Sequence, residues 1–116
     1  MIFDVNSIDL IAKKKDGGVD LFIISSGEID ASDETQKLLL NKVERYLGYI
    51  QSEEFKKEFS DSEAKEITII FELEEKPPAP LLELCKKIIP WAEENGAQFL
   101  VRCKEKTNKF YRQSLC

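Results

Sequence analysis

The turn Lys15-Asp16-Gly17-Gly18 constrains this chain more than any other segment. Asp-Gly and Gly-Gly supply the positive φ angles that a tight hairpin requires. Apolar runs flank it on both sides, Ile8-Asp9-Leu10-Ile11-Ala12-Lys13-Lys14 before and Val19-Asp20-Leu21-Phe22-Ile23-Ile24-Ser25 after. Two strands over 8–14 and 19–25 are therefore expected, with Ile8, Leu10 and Ala12 alternating onto one face. Lys13 and Lys15 fall on the other.

After the hairpin the period changes from two to 3.6. Ser26–Asp30 reads as a loop, and Ser32 as the N-cap of a helix beginning at Asp33. Asp33 and Glu34 then lie in the first turn, where negative charge meets the positive end of the helix dipole. Leu39, Val43, Tyr46 and Ile50 recur at helical spacing, widened by Leu40 and Leu47. Gly48 inside this pattern costs about 1 kcal/mol relative to Ala and suggests close packing. Of Tyr46 and Tyr49, three apart on this helix, one is expected to be core and the other half exposed. Ser52 can cap a short helical piece holding Phe55 and Phe59, ahead of a loop at 61–63.

Glu66–Leu73 reads as a strong strand, with Ile67, Ile69, Phe71 and Leu73 on one face. Glu74–Pro80 holds three prolines and excludes a central strand or helix interior. Pro80 suits the first turn of the next helix. That helix carries Leu81, Leu84, Cys85, Ile88, Trp91 and Ala92 on its apolar stripe, with a kink or a tightened last turn expected at Pro90 and a stop at Asn95-Gly96. Trp91 reads as a core residue, with an interface anchor as the sharper alternative. Ala97–Cys103 is the last strand. The expected order is β-β-α-β-α-β, an α+β two-layer sandwich with the hairpin and two helices on a four-stranded sheet. If the strands of the 66–103 unit lie parallel, its crossover is right-handed. The domain is expected to span 1–104, with 105–116 as a basic C-terminal tail.

Length and charge narrow the function. At 116 residues with 42% hydrophobic and 34% charged residues, the chain fits one globular domain. Its net charge of −5 disfavours general binding to phosphate backbones. The charge is uneven: 14 acidic and 8 basic side chains fall in 1–64, against 8 and 9 in 65–116. Arg102, Lys104, Lys106, Lys109 and Arg112 form a local basic segment, read as a solvated tail. No basic, apolar leader opens the sequence, and no apolar run approaches membrane-spanning length. Three irregularly spaced cysteines do not form a disulfide framework. Cys85 and Cys103 read as packing residues and Cys116 as an exposed terminal thiol. A cytoplasmic protein is the expectation.

Around the first helix, Gly27-Glu28-Ile29-Asp30, Ser32-Asp33-Glu34, Leu38-Leu39-Leu40 with Lys42, and Tyr46-Leu47 ahead of Ile50 and Ser52 carry a resemblance. They resemble an uncharacterised bacterial family, a domain of unknown function, with an LDWSDEEEHLLLLQEKINAYLRFIESG-like first helix. The resemblance spans roughly 8–103 and is sharpest over 27–53. It implies the same fold order and a bacterial cytosolic setting, and no activity. Two positions depart from the pattern: its Trp before the cap is Ala31 here, and its His falls at Gln36 or Lys37.

The chemistry available is narrow. The chain has no histidine, which removes Ser-His-Asp and Cys-His catalysis and His-containing zinc sites. No glycine-rich phosphate loop precedes a helix. Glu28, Asp30, Asp33 and Glu34 form the one acidic cluster suited to acid–base work or Mg²⁺. Helix capping explains it more simply. The sequence therefore favours a non-enzymatic protein-binding domain without cofactor or metal. Its candidate surface is Glu28, Asp30, Asp33 and Glu34 with Glu44, facing a basic protein partner, and an immunity-type protein is its most concrete form. The alternatives are a small-molecule-binding or regulatory domain, and a carboxylate- or Mg-dependent enzyme. Either a monomer or a homodimer is compatible.

Overall fold

The computed structural model describes residues 4–59 and 66–103. The tail expected at 105–116, Cys116 and the loop at 61–63 lie outside the described residues. Strands β1 (Leu10–Lys13) and β2 (Val19–Ser25) lead to helices α1 (Asp33–Ile50) and α2 (Glu53–Glu58). Strand β3 (Ile67–Leu73), helix α3 (Ala79–Glu94) and strand β4 (Gln98–Cys103) follow. The sheet order is β1-β2-β3-β4. β1 and β2 are antiparallel, whereas β2–β3 and β3–β4 are parallel. The order is thus β-β-α-α-β-α-β, one helix more than the sequence reading. The piece capped by Ser52, whose hydroxyl accepts from the Phe55 N–H, is the added helix. Two consecutive parallel pairings, each bridged by helix, put the helices together on one face of the sheet.

The hairpin forms where the glycines put it, with a division of labour between them. Gly17 adopts φ 93° and donates to Lys14 O at 3.0 Å, while Lys14 N–H closes onto Gly18 O at 2.8 Å. This is a three-residue loop with one left-handed position. Gly18 has a different reason to be small. A Cβ there would sit 2.8 Å from Lys14 Cε and 3.1 Å from Glu66 O.

Between sheet and helices lies the core. Val19, Leu21 and Ile23 of β2, Ile69, Phe71 and Leu73 of β3, and Phe99 and Val101 of β4 meet Leu39, Val43, Tyr46 and Ile50 of α1. Leu81, Cys85, Ile88 and Ala92 of α3 complete it, with Trp91 partly buried against it. β1 differs from its sequence reading. It is four residues long and turns Ile11 toward the helices, whereas Leu10 points away and stays 50% exposed. α3 continues through Pro90, which sits on an exposed position of the helix. It ends where expected, with Gly96 at φ 85° and Ala97 N–H returning to Ala92 O at 3.0 Å.

Cys85 is free and fully buried in α3, and burial pushes its thiol up to about 12. Cys103, expected to be a free packing residue, is disulfide-bonded. No helix among the described residues is long and apolar enough to cross a membrane.

Replacing Gly17 with Ala should lower stability by about 1 kcal/mol, because φ at this position stays positive. Urea unfolding of Gly17→Ala checks this; an unchanged midpoint would contradict the turn assignment. Cys85 should resist a thiol reagent in the native protein at pH 8 and react once urea unfolds it, since the thiolate is the reactive form. Fast native labelling at Cys85, located by peptide mapping, would contradict its burial.

Candidate functional site

The least expected side chain in the core is Lys42, with no exposed surface. It lies on the buried stripe of α1, three residues after Leu39 and four before Tyr46. Three acceptors surround its ammonium: Asp4 O, Ser7 O at 2.9 Å and Asp9 Oδ1 at 2.9 Å. All three ammonium donors are therefore used. The Lys42 nitrogen also lies 5.7 Å from the Tyr46 ring centroid.

Asp9 sits where β1 gives out. Phe22 is the last β2 residue paired with β1, opposite Leu10. Two residues on, the Ile24 N–H faces the same side with no strand to meet, and Asp9 Oδ2 accepts it at 2.9 Å. Tyr46 Oη accepts from the Asp9 N–H at 2.9 Å and donates to Phe22 O. A short strand thus ends without stranded backbone groups, because one carboxylate and one phenol from the core take their place. Burial tends to raise the Asp9 carboxyl. The group is nonetheless held below its ordinary value, with the hydrogen bonds from Ile24 and Lys42 and the charge of Lys42 among the causes. Burial, ahead of the nearby Asp9 charge, pushes the Tyr46 hydroxyl up.

This network ties the segment before β1 across the side of α1. Between the two lies an open groove of about 600 Å³. Val5, Asn6 and Ile8 form one wall, and Asn41, Glu44, Arg45, Gly48 and Tyr49 of α1 form the floor and the other wall; Ser52 and Glu54 close one end. Arg45 Nη2 crosses it to Asn6 Oδ1 at 3.2 Å. The Tyr49 ring stands edge-on to Phe55, 5.4 Å between centroids. Its hydroxyl is raised by burial first, then by Glu58 and Glu54. Gly48 is exposed, and a Cβ there would meet nothing within 4 Å. It opens the groove floor, in place of the close packing expected from sequence.

The candidate carboxylates separate into two places. Asp30 Oδ1 accepts from the Ser32 N–H at 3.1 Å, from the Ser32 hydroxyl at 2.9 Å and from the Thr35 hydroxyl. Those bonds, Thr35 foremost, lower its carboxyl below the ordinary value. Ser32 in turn caps α1 by accepting from the Thr35 N–H. Asp33 and Glu34 occupy the exposed first turn, and Glu28 is exposed in the loop before it. Glu44 is apart from all four. At 1.5 Å per residue it lies roughly 15 Å down the helix from Glu34, on the groove. Among the described residues, no three His, Cys, Asp or Glu side chains form a set able to hold a metal ion. Arg102, counted from sequence with the basic tail, is instead half-buried on the sheet, bonded to Glu72 and 5.6 Å from the Phe22 ring centroid.

Sequence reasoning passed over Asp9 and Lys42. The signal for Lys42 was present, since it falls inside the stripe that Leu39, Val43 and Tyr46 define. Asp9 carried none of its own, because an acid alternating with apolar residues also describes a solvated strand face.

A mixed β1-β2-β3-β4 sheet with helices on it, a buried ion pair beneath its short edge strand and an open groove on α1 define a small α+β domain. The match to the model of DUF6572, a family of unknown function, covers residues 1–110, and the chain belongs to that family. No curated protein and no solved structure matches it.

Removing the Lys42 ammonium breaks a buried ion pair, so Lys42→Met should cost about 3–5 kcal/mol in chemical denaturation. A loss below about 1 kcal/mol would contradict the pairing. The depressed Asp9 group stabilises the fold above its unfolded value, near 3.9. That contribution is lost as pH falls through the lower folded value. Stability measured between pH 5 and pH 2 should therefore fall more steeply in the wild type than in Asp9→Asn. Parallel curves would contradict the assignment.

Proposed function

We propose that this domain is a non-enzymatic protein-binding module that receives a segment of a partner chain in the groove between residues 5–8 and α1. The observation that carries this reading is Gly48. A glycine at an exposed position in the interior of a helix costs about 1 kcal/mol relative to Ala, and here no neighbour uses the space it leaves. What it does provide is an open floor. Glu44 and Glu54 on the rim, against Arg45 alone, favour a basic segment, and charge complementarity of this kind speeds association. A toxin-neutralising, immunity-type role in the cytoplasm is the most concrete form of the proposal. The exposed carboxylates Glu28, Asp33 and Glu34, with Asp30 engaged in capping, would then act at a distance by steering a basic partner.

The groove volume also supports a second reading, a small-molecule-binding or regulatory domain, since it lies within the range of ligand sites. Thermal-shift measurements against metabolite classes separate the two: stabilisation by a small molecule favours the second reading.

Gly48→Gln fills the groove without a steric clash at its Cβ and should raise helix stability. Wild type and this variant, each coupled to resin, test the proposal in lysate of the source cells. The expected result is a partner held by the wild type, lost with Gly48→Gln and weakened with Glu44→Lys. A partner retained equally by both variants, or no partner at all, would overturn the groove assignment.

A further inference from the structure

One side chain gives the width of the α1 groove. Arg45 stands on α1 and Asn6 on the opposite wall, and Arg45 Nη2 reaches Asn6 Oδ1 at 3.2 Å. The groove is thus one arginine side chain wide at that point. A helix with its side chains is roughly 10–12 Å across and does not enter such a space. An extended chain does, since neighbouring strands lie only about 4.8 Å apart. The lining points the same way. A helix has spent its backbone N–H and C=O groups on itself and docks through apolar side chains at i, i+3, i+4 and i+7. Here it would meet Asn6 and Asn41, whose amides a helical backbone cannot satisfy. Among the described residues, neither the Asn41 side-chain amide nor the Asn6 side-chain nitrogen has a protein partner. An extended segment brings a donor and an acceptor at every residue and can meet both.

On the reading that the groove binds a protein, on which this depends, we infer that it takes one extended stretch of about four residues, recognised by a single lysine or arginine side chain beside Tyr49. Asn41, Glu44, Arg45, Gly48 and Tyr49 form one stripe along α1. From Asn41 to Tyr49 it is about 12 Å long, and extended residues advance about 3.3 Å each. Asn41 and Asn6 hold the backbone of the segment. Gly48 leaves open floor beside the Tyr49 ring for its side chain. Glu54 lines this end of the groove, and Glu58 stands one turn further along α2. After burial, the charges of Glu58 and Glu54 raise the Tyr49 hydroxyl, so both carboxylates are felt at the ring. Among the described residues neither is paired with a cation. A lysine or arginine arriving there meets an aromatic ring and two carboxylates together. The one cation of the groove lining, Arg45, is already bonded to Asn6.

Random twelve-residue peptides displayed on phage, selected on the full wild-type chain and counter-selected on Gly48→Gln, test this. The expected sequences carry one lysine or arginine at a fixed position. A synthetic peptide of that sequence should bind at least tenfold more weakly to the double variant Glu54→Gln, Glu58→Gln. Two α-aminoisobutyrate residues placed beside the cation, which favour helix, should weaken it severalfold. Selected sequences with an apolar i, i+3, i+4, i+7 pattern and no fixed cation would overturn the inference, and so would tighter binding by the helix-stabilised peptide. Either result leaves a protein partner in the groove. Equal affinity for the wild type and the double carboxylate variant would also overturn it. So would a selection with no sequence enriched over Gly48→Gln, and capture from lysate on the same two resins then judges the protein-binding reading by itself.

Discussion

Lys42 and Asp9 meet in a place where neither charge has water to fall back on. Desolvating such a pair costs several kcal/mol per ion, and attraction between the charges returns this only when the remaining donors and acceptors are satisfied. Here they are satisfied from three directions. The ammonium reaches two backbone carbonyls of the segment before β1, and the carboxylate reaches the Ile24 amide of β2. Tyr46, one turn further along α1, joins Asp9 to Phe22 O. Helix, N-terminal segment and second strand therefore share one polar centre, and each fixes where the other two can lie.

The rest of the architecture follows from that centre. An edge strand of four residues pairs poorly along a neighbour of seven, and the unmatched end of β2 needs a partner for its amide. Asp9 supplies one and so sets where β1 stops. Because Asp9 faces the helices, Ile11 does too, and Leu10 is turned to the opposite face. The segment at 5–8, held across α1 by Lys42, becomes a wall. The groove exists because that wall stands beside a helix with a glycine in its floor.

Much of this was legible in the sequence where local chemistry is decisive. Gly17 fixed the hairpin through its positive φ, Ser32 capped α1, and Asn95-Gly96 ended α3. The alternation of Ile67, Ile69, Phe71 and Leu73 described the core face of β3 correctly. The misses are residues whose role depends on a distant partner. Gly48 looked like a packing glycine until its surroundings proved empty. Arg102 looked like part of a basic run until Glu72 and Phe22 drew it onto the sheet. Cys103 gave no sign of its disulfide, since spacing along a chain does not report proximity in space. The acidic cluster at 28–34 was visible as residues, and Asp30 serves the helix cap, as the simpler reading of the sequence had it. Glu44, placed in the same set, lies along the helix on another surface.

The central claim is that the Asp9–Lys42 pair holds the β1 end of the sheet to α1. Hydrogen exchange at the Ile24 amide reads this most directly, because its hydrogen-bond acceptor is the Asp9 carboxylate. The account predicts that in the wild type this amide exchanges nearly as slowly as the core amides of β3, through global opening. In Lys42→Met it should exchange far faster than those amides. Rapid exchange of Ile24 in the wild type, or equal protection in the two proteins, would contradict it.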